Sequence, residues 1–162
     1  MFLWFGMVFS MGGIQMQILA RGILVYDLTN NYFITGKAGT GKSTLLRYLN
    51  ITLNKKCVLL APTGRAAINI GGQTLHSFFY LDSAVLQPKD YKKKKVKKLK
   101  NIDIIIIDEI SMVRSDILDS INEIMKNTLG NDFPFGGKQV IMFGDPFQLP
   151  PVVPNNIQVH KY

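Results

Sequence analysis

The sequence predicts an α/β fold: a mainly parallel sheet covered by helices on both faces. Three observations carry that prediction. Short, wholly apolar runs alternate with stretches of helical apolar spacing. A glycine-rich loop, Gly36 to Thr44, lies between the first such run and the first such helix. The polar residues that invite a functional reading follow the apolar runs directly, where a parallel sheet gathers ligands.

At 162 residues the chain is long enough for one domain with a substantial core. Residues 1–13 are expected to be an N-terminal extension, 14–154 the domain and 155–162 a tail. Met1 to Phe9 is strongly apolar but lacks a basic region and is too short to cross a bilayer. Ile14, Ile18, Leu19, Ile23, Leu24 and Leu28 make a helical apolar face despite Gly22. Thr29 to Asn31 is a turn. Residues 32–35 form the first strand, and a helix runs from the glycine loop to about Asn54.

Residues 57–61 form the second strand, broken by Pro62-Thr63-Gly64. Arg65 to Ile70 is a short helix ended by Gly71-Gly72, and Thr74 to Phe79 is a second helical piece. Ile104 to Ile107 is wholly β-branched, as a strand buried on both faces should be. A helix over 115–129, with Ser115 as N-cap, carries Ile117, Leu118, Ile121, Ile124 and Met125 on one face. Asn131 to Gly137 is a loop, and 140–143 is the last strand.

The loop Gly36-Lys37-Ala38-Gly39-Thr40-Gly41-Lys42-Ser43-Thr44 matches the phosphate-loop pattern at every fixed position. It also has the strand-before, helix-after context that the pattern needs. Its glycines let the backbone wrap a phosphate chain and aim N–H groups at it. The helix start adds its positive dipole end. Lys42 supplies a charge for the β- and γ-phosphates, and Ser43 a hydroxyl for Mg²⁺.

Asp108-Glu109 follows the four isoleucines. Two carboxylates at the exit of a buried strand are costly without a cation or a donor. With Mg²⁺ on Ser43, Asp108 is the natural metal partner, directly or through a metal-bound group, and Glu109 is placed to orient or deprotonate an attacking water. Gln148, in the rigid loop Gly144 to Pro151, can hydrogen-bond both a γ-phosphate and that water.

The net charge is +8, of which residues 89–100 supply +7 through eight lysines and one aspartate. Two readings stand for this run: a patch that attracts nucleic acid, and a solvated basic surface. The single cysteine, Cys57, excludes an internal disulfide and reads as core filler in an apolar strand.

GKAGTGKST, APTGRAAINIGGQTLHSFF, IIIIDEISMV and GDPFQLPPV occur in that order at fitting spacings. Together they resemble motifs I, Ia, II and III of superfamily 1 DNA helicases of the Pif-type, RecD-like branch, over about residues 28–153. The resemblance implies a RecA-like P-loop NTPase domain that binds ATP and Mg²⁺ and belongs to a 5′-to-3′ motor on single-stranded DNA. It implies work in repair, recombination or telomere maintenance, in the cytoplasm or the nucleus, with no membrane. Lys42, Ser43, Asp108, Glu109 and Gln148 keep the roles above, and the whole run Gly36 to Thr44 cradles the nucleotide.

Pro62, Thr63, Gly64 and Arg65, with His76 and Phe78, would lie along the DNA. For Phe78, core packing stands as an equal alternative. The resemblance also implies a sheet order in which the first strand lies beside the last, then the third, then the second. Gln15 or Gln17 would take the adenine-reading position, although the sequence around them matches poorly. The second RecA-like domain and its catalytic arginine are expected to be missing, leaving Arg47, Arg65 and Arg114 as internal sources of charge. A nucleotide-dependent DNA-binding module without motor activity and a small-molecule kinase are the alternatives. The latter lacks a lid segment.

Overall fold

The computed structural model describes residues 31–37, 39–82 and 94–145. The expected extension, the helix over 14–28, Gln15, Gln17, Ala38, Gln148 and the tail lie outside them.

The elements are β1 (Tyr32–Thr35), α1 (Lys42–Thr52), β2 (Cys57–Ala61), α2 (Gly64–Ile70), β3 (Gln73–Thr74), α3 (Leu75–Phe79), β4 (Ile104–Ile107), α4 (Ser115–Leu129) and β5 (Gln139–Gly144). Single 3-10 turns occupy Lys97–Asn101, Ile110–Met112 and Pro134–Gly137. The sheet runs β1-β5-β4-β2-β3, and each neighbouring pair is parallel. The expected order of the four main strands holds. The two-residue β3 is an addition at the far edge, pairing Gln73 with Leu60 and Thr74 with Ala61.

The isoleucine run shows why the sheet is covered on both sides. Ile105 and Ile107 enter one core with Leu60, Val140, the α3 phenylalanines and the α4 face. Ile104 and Ile106 enter the other with Ile34, Leu46 of α1, Ala67 and Ile70 of α2, and Phe143. Alternation of a strand's side chains divides four identical residues between two cores. All four are at most 1% exposed.

α1 ends at Thr52, α2 begins at Gly64 and β5 spans Gln139–Gly144, each within about two residues of the sequence reading, and two caps differ from it. Ser115 is the first residue of α4 and does not cap it. Arg114 is the N-cap, and its guanidinium is tied to Asp116, with Nε to Oδ1 at 2.9 Å. Thr74 caps α3, its hydroxyl accepting from the Ser77 N–H, and does not belong to the helix. Among the described residues, no helix is long and apolar enough to cross a membrane.

The carboxyl ends of β1, β4 and β5 are drawn together at Gly144. The Gly36 N–H donates to the Gly144 carbonyl at 3.2 Å, extending the β1–β5 ladder into the phosphate loop. A Cβ on Gly144 would lie 2.7 Å from Ile110 Cγ2 and 3.4 Å from the Ser111 nitrogen. Gly144→Ala is therefore expected to cost about 1–3 kcal/mol as overpacking. Urea unfolding followed by circular dichroism checks this; an unchanged midpoint would mean that the segment after β4 yields freely.

Candidate functional site

The phosphate loop turns on two left-handed glycines, Gly39 at φ 78° and Gly41 at φ 86°. That region is open to glycine without penalty. Gly41 is also the N-cap of α1, and no side chain caps that helix. The first-turn N–H groups of α1 are thus left for an anion. The Thr40 hydroxyl donates to the Lys37 carbonyl at 2.8 Å and closes the loop. Gly36 packs against Thr40, since a Cβ there would lie 2.6 Å from the threonine hydroxyl. Ser43 and Thr44 are exposed at the start of α1.

Lys42 is 8% exposed. Its ammonium donates to the carbonyls of Gly36 and of Lys37, the latter at 2.9 Å. Those two bonds hold the charge inside the loop and leave one of its three N–H donors for another partner.

Asp108 stands at the end of β4 and is 6% exposed. Its backbone N–H donates to Leu60 at 2.9 Å, continuing the ladder with β2. Burial raises its pKa, while the Glu109 N–H on Oδ1 at 3.0 Å and the charge of Lys42 pull it down. Glu109 sits at φ 53°, a left-handed conformation that costs a side-chain-bearing residue free energy. Its Oε2 is buried with no hydrogen-bond partner. Burial raises the Glu109 pKa, and the negative charge of Asp108 adds to this. Lys42 opposes the rise, and Asp145 reinforces it.

Asp145 was not among the predicted site residues. It follows β5 and is 4% exposed. A Gly-Asp-Pro tract right after an apolar strand was the available signal.

An orphaned carboxylate oxygen beside a second buried carboxylate suits a divalent cation. Among the described residues, no group of three or more His, Cys, Asp or Glu side chains is set to hold a metal. Mg²⁺ in a nucleotide complex needs only one or two carboxylates, because phosphates and water complete its shell. The residues present fit that ion.

The loop after β2 lies beside the start of α3, because β3 pairs with the carboxyl end of β2. Thr63 caps α2, accepting from the Ala66 N–H at 3.2 Å. Pro62 is half-buried, while Gly64 and Arg65 are exposed. His76 is half-buried. Phe78 is not available to DNA. It is 1% exposed and packs edge-on against Phe79, with centroids 4.9 Å apart, so its core reading is the correct one. Of the arginines singled out, Arg47 donates to the Asn69 carbonyl at 2.9 Å and Arg114 is paired with Asp116, while Arg65 is exposed.

A carboxyl with a raised folded-state pKa binds its proton more tightly in the fold than in the unfolded chain. Its contribution to stability therefore falls as pH rises from the ordinary carboxylate range through the raised value. Glu109→Gln keeps the left-handed backbone cost and removes only the charge. It is expected to raise the thermal midpoint by a few degrees at neutral pH, with the gain shrinking towards acid pH. Calorimetry across pH 4–8 checks this. A variant no more stable than the parent at neutral pH would show that the carboxylate is not under strain.

A family model described as PIF1-like helicase matches residues 14–162. An ATP-dependent DNA helicase PIF1 of Candida albicans is 47% identical over 131 residues, spanning 75% of this chain and 14% of that protein. An ATP-dependent DNA helicase Pif1 of Bdellovibrio bacteriovorus is 39% identical over 129 residues, spanning 75% of this chain and 29% of that protein. Two solved structures are similar: a Bacteroides sp Pif1 in complex with ADP-AlF4 (TM-score 0.74, 47% identity, 88% of this chain, 34% of that one) and a Bacteroides Pif1 bound to ssDNA (0.75, 44%, 88%, 34%). The chain thus spans from about a seventh to a third of the length of these relatives.

Proposed function

The chain belongs to the PIF1-like helicase family, and we propose that it is an ATP-binding motor domain that couples hydrolysis of ATP to movement on single-stranded DNA. In the whole protein that activity is 5′-to-3′ unwinding, serving DNA repair, recombination or telomere maintenance. One observation carries the reading. A buried ammonium, Lys42, is held inside the phosphate loop within the field of two carboxylates at the end of β4, the buried Asp108 and the half-buried Glu109. The nucleotide analogue and the single-stranded DNA named with the Bacteroides structures support it.

Gly36, Ala38, Gly39, Thr40, Gly41 and Thr44 wrap the phosphates with backbone N–H groups, and the helix dipole of α1 points the same way. Lys42 neutralises charge on the β- and γ-phosphates. Ser43 and Asp108 would hold Mg²⁺, which polarises the phosphoryl group when bound. Glu109 accepts the proton of the attacking water at a carboxylate oxygen. Its raised pKa makes it a stronger base than an ordinary glutamate, and the orphaned Oε2 has no other partner to give up. Gln148 senses the γ-phosphate. Pro62, Thr63, Gly64, Arg65 and His76 touch the DNA, through backbone and hydroxyl groups on its phosphates and the imidazole on a base or phosphate.

The test separates binding from chemistry. Lys42→Ala should lose binding of a fluorescent ATP analogue, because the phosphate charge is then uncompensated. Glu109→Gln should bind the analogue as the parent does and lose turnover, read as phosphate release with and without oligothymidylate. Parent-like nucleotide affinity in Lys42→Ala, with its circular dichroism unchanged, would sink the assignment of this loop.

A further inference from the structure

The lysine run is not a loose, solvated arm where the structure describes it. Val96 and Leu99 are 1% and 0% exposed. The Val96 N–H donates to the Thr128 hydroxyl at 3.0 Å, and that hydroxyl donates in turn to the Ile124 carbonyl at 2.7 Å. The turn Lys97–Asn101 is thereby fastened to α4. Lys95, Lys97, Lys98 and Lys100 are held outward and exposed, with no ion pair among the described residues. Lys94 differs: it donates to the Tyr80 carbonyl at 2.7 Å and pairs with Asp82 at 3.4 Å.

An aromatic ring stands beside this turn. Tyr80 is 57% exposed, although its neighbours Phe79 and Leu81 are buried at 0% and 8%. It occupies a left-handed conformation, φ 55°, at the end of α3, where its N–H and that of Leu81 both donate to the His76 carbonyl. A bulky residue rarely takes that conformation without a reason, because it strains the backbone. Lys98 Nζ lies 5.9 Å from the centroid of the Tyr80 ring. An exposed ring with an ammonium over it has the two features that bind unstructured nucleic acid: an aromatic surface for a base and charge for the adjoining phosphate.

The position continues the proposed nucleic-acid path. The Pro62–Arg65 loop and the start of α3 are neighbours through the β2–β3 pairing. His76 lies in α3, and Tyr80 is the residue that ends that helix four positions on, its N–H on the His76 carbonyl. We propose that Tyr80 and Lys98 form a stacking-and-phosphate site that extends this path from His76 onto the lysine turn. The proposal rests on the single-stranded DNA reading above and names a contact outside the four motifs.

The test uses the 162-residue chain, fluorescent oligothymidylate and an abasic oligomer of the same length, followed by anisotropy at two salt concentrations. Tyr80→Ala should weaken oligothymidylate binding roughly tenfold and leave the abasic oligomer unaffected, as loss of one stacked base predicts. Tyr80→Phe should bind as the parent does. Lys98→Gln should lower the salt slope by about one on both oligomers. ATP-analogue binding should be unchanged in all three variants, which also shows that they are folded. Parent-like oligothymidylate affinity in Tyr80→Ala would overturn this proposal alone, and so would equal weakening on both oligomers. If the parent chain fails to bind oligothymidylate at all, the DNA reading falls and this proposal falls with it.

Discussion

The missing side chain of Gly144 is the constraint on which the rest of the site depends. Its carbonyl receives the first N–H of the phosphate loop, and its bare Cα lets Ile110 and Ser111 close over the end of β5. Loops that follow three different strands are thereby drawn to one point. Parallel pairing makes this possible, because it puts every carboxyl end on the same edge of the sheet. With a side chain at 144, the acidic segment after β4 would have to stand away from β5. The field that Asp108 and Asp145 exert on Glu109 depends on that closeness.

What is gathered there is unfavourable by itself. Lys42, Asp108 and Asp145 are buried charges, and Glu109 combines a left-handed backbone with an unpartnered oxygen. Burial raises both carboxyl pKa values more than the single ammonium lowers them. Each of these features works against folding, and a sequence selected only for stability would discard all of them. Together they describe a place that a phosphate chain with a divalent cation would complement. The loop's N–H groups and Lys42 face the negative charge, and the carboxylates face the positive.

Much of the fold was legible because the strands are short, apolar and bounded by glycine, proline or charge. β1, β2, β4 and α4 have the bounds that pattern alone predicts. What pattern could not supply was anything decided across the chain. Gln73–Thr74 has no strand signature, and it is a strand only because β2 offers it a free edge. The Lys97–Asn101 turn is fixed by Thr128, more than twenty residues away. The cap of α4 was assigned to Ser115 on residue type. Arg114 takes that place through its extended backbone, with no side-chain cap, while its guanidinium pairs with Asp116.

The two aromatics of α3 show where sequence reading of a site reaches its limit. Phe78 fell inside a motif that resembles a DNA-contacting one, and the ring is in the core. Tyr80 fell just outside it, and the ring is in solvent. Nothing in the order Phe-Phe-Tyr distinguishes an inward from an outward residue in a helix of five residues, which is too short to establish a face. The helix ends at Phe79, and the left-handed turn at Tyr80 then swings the next ring away from the core as the chain leaves. The choice between the two rings was therefore made by a backbone angle. That angle is held by one carbonyl, His76, which accepts from both Tyr80 and Leu81. Leu81 is buried at the same step, so the core secures the chain on either side of the exposed tyrosine.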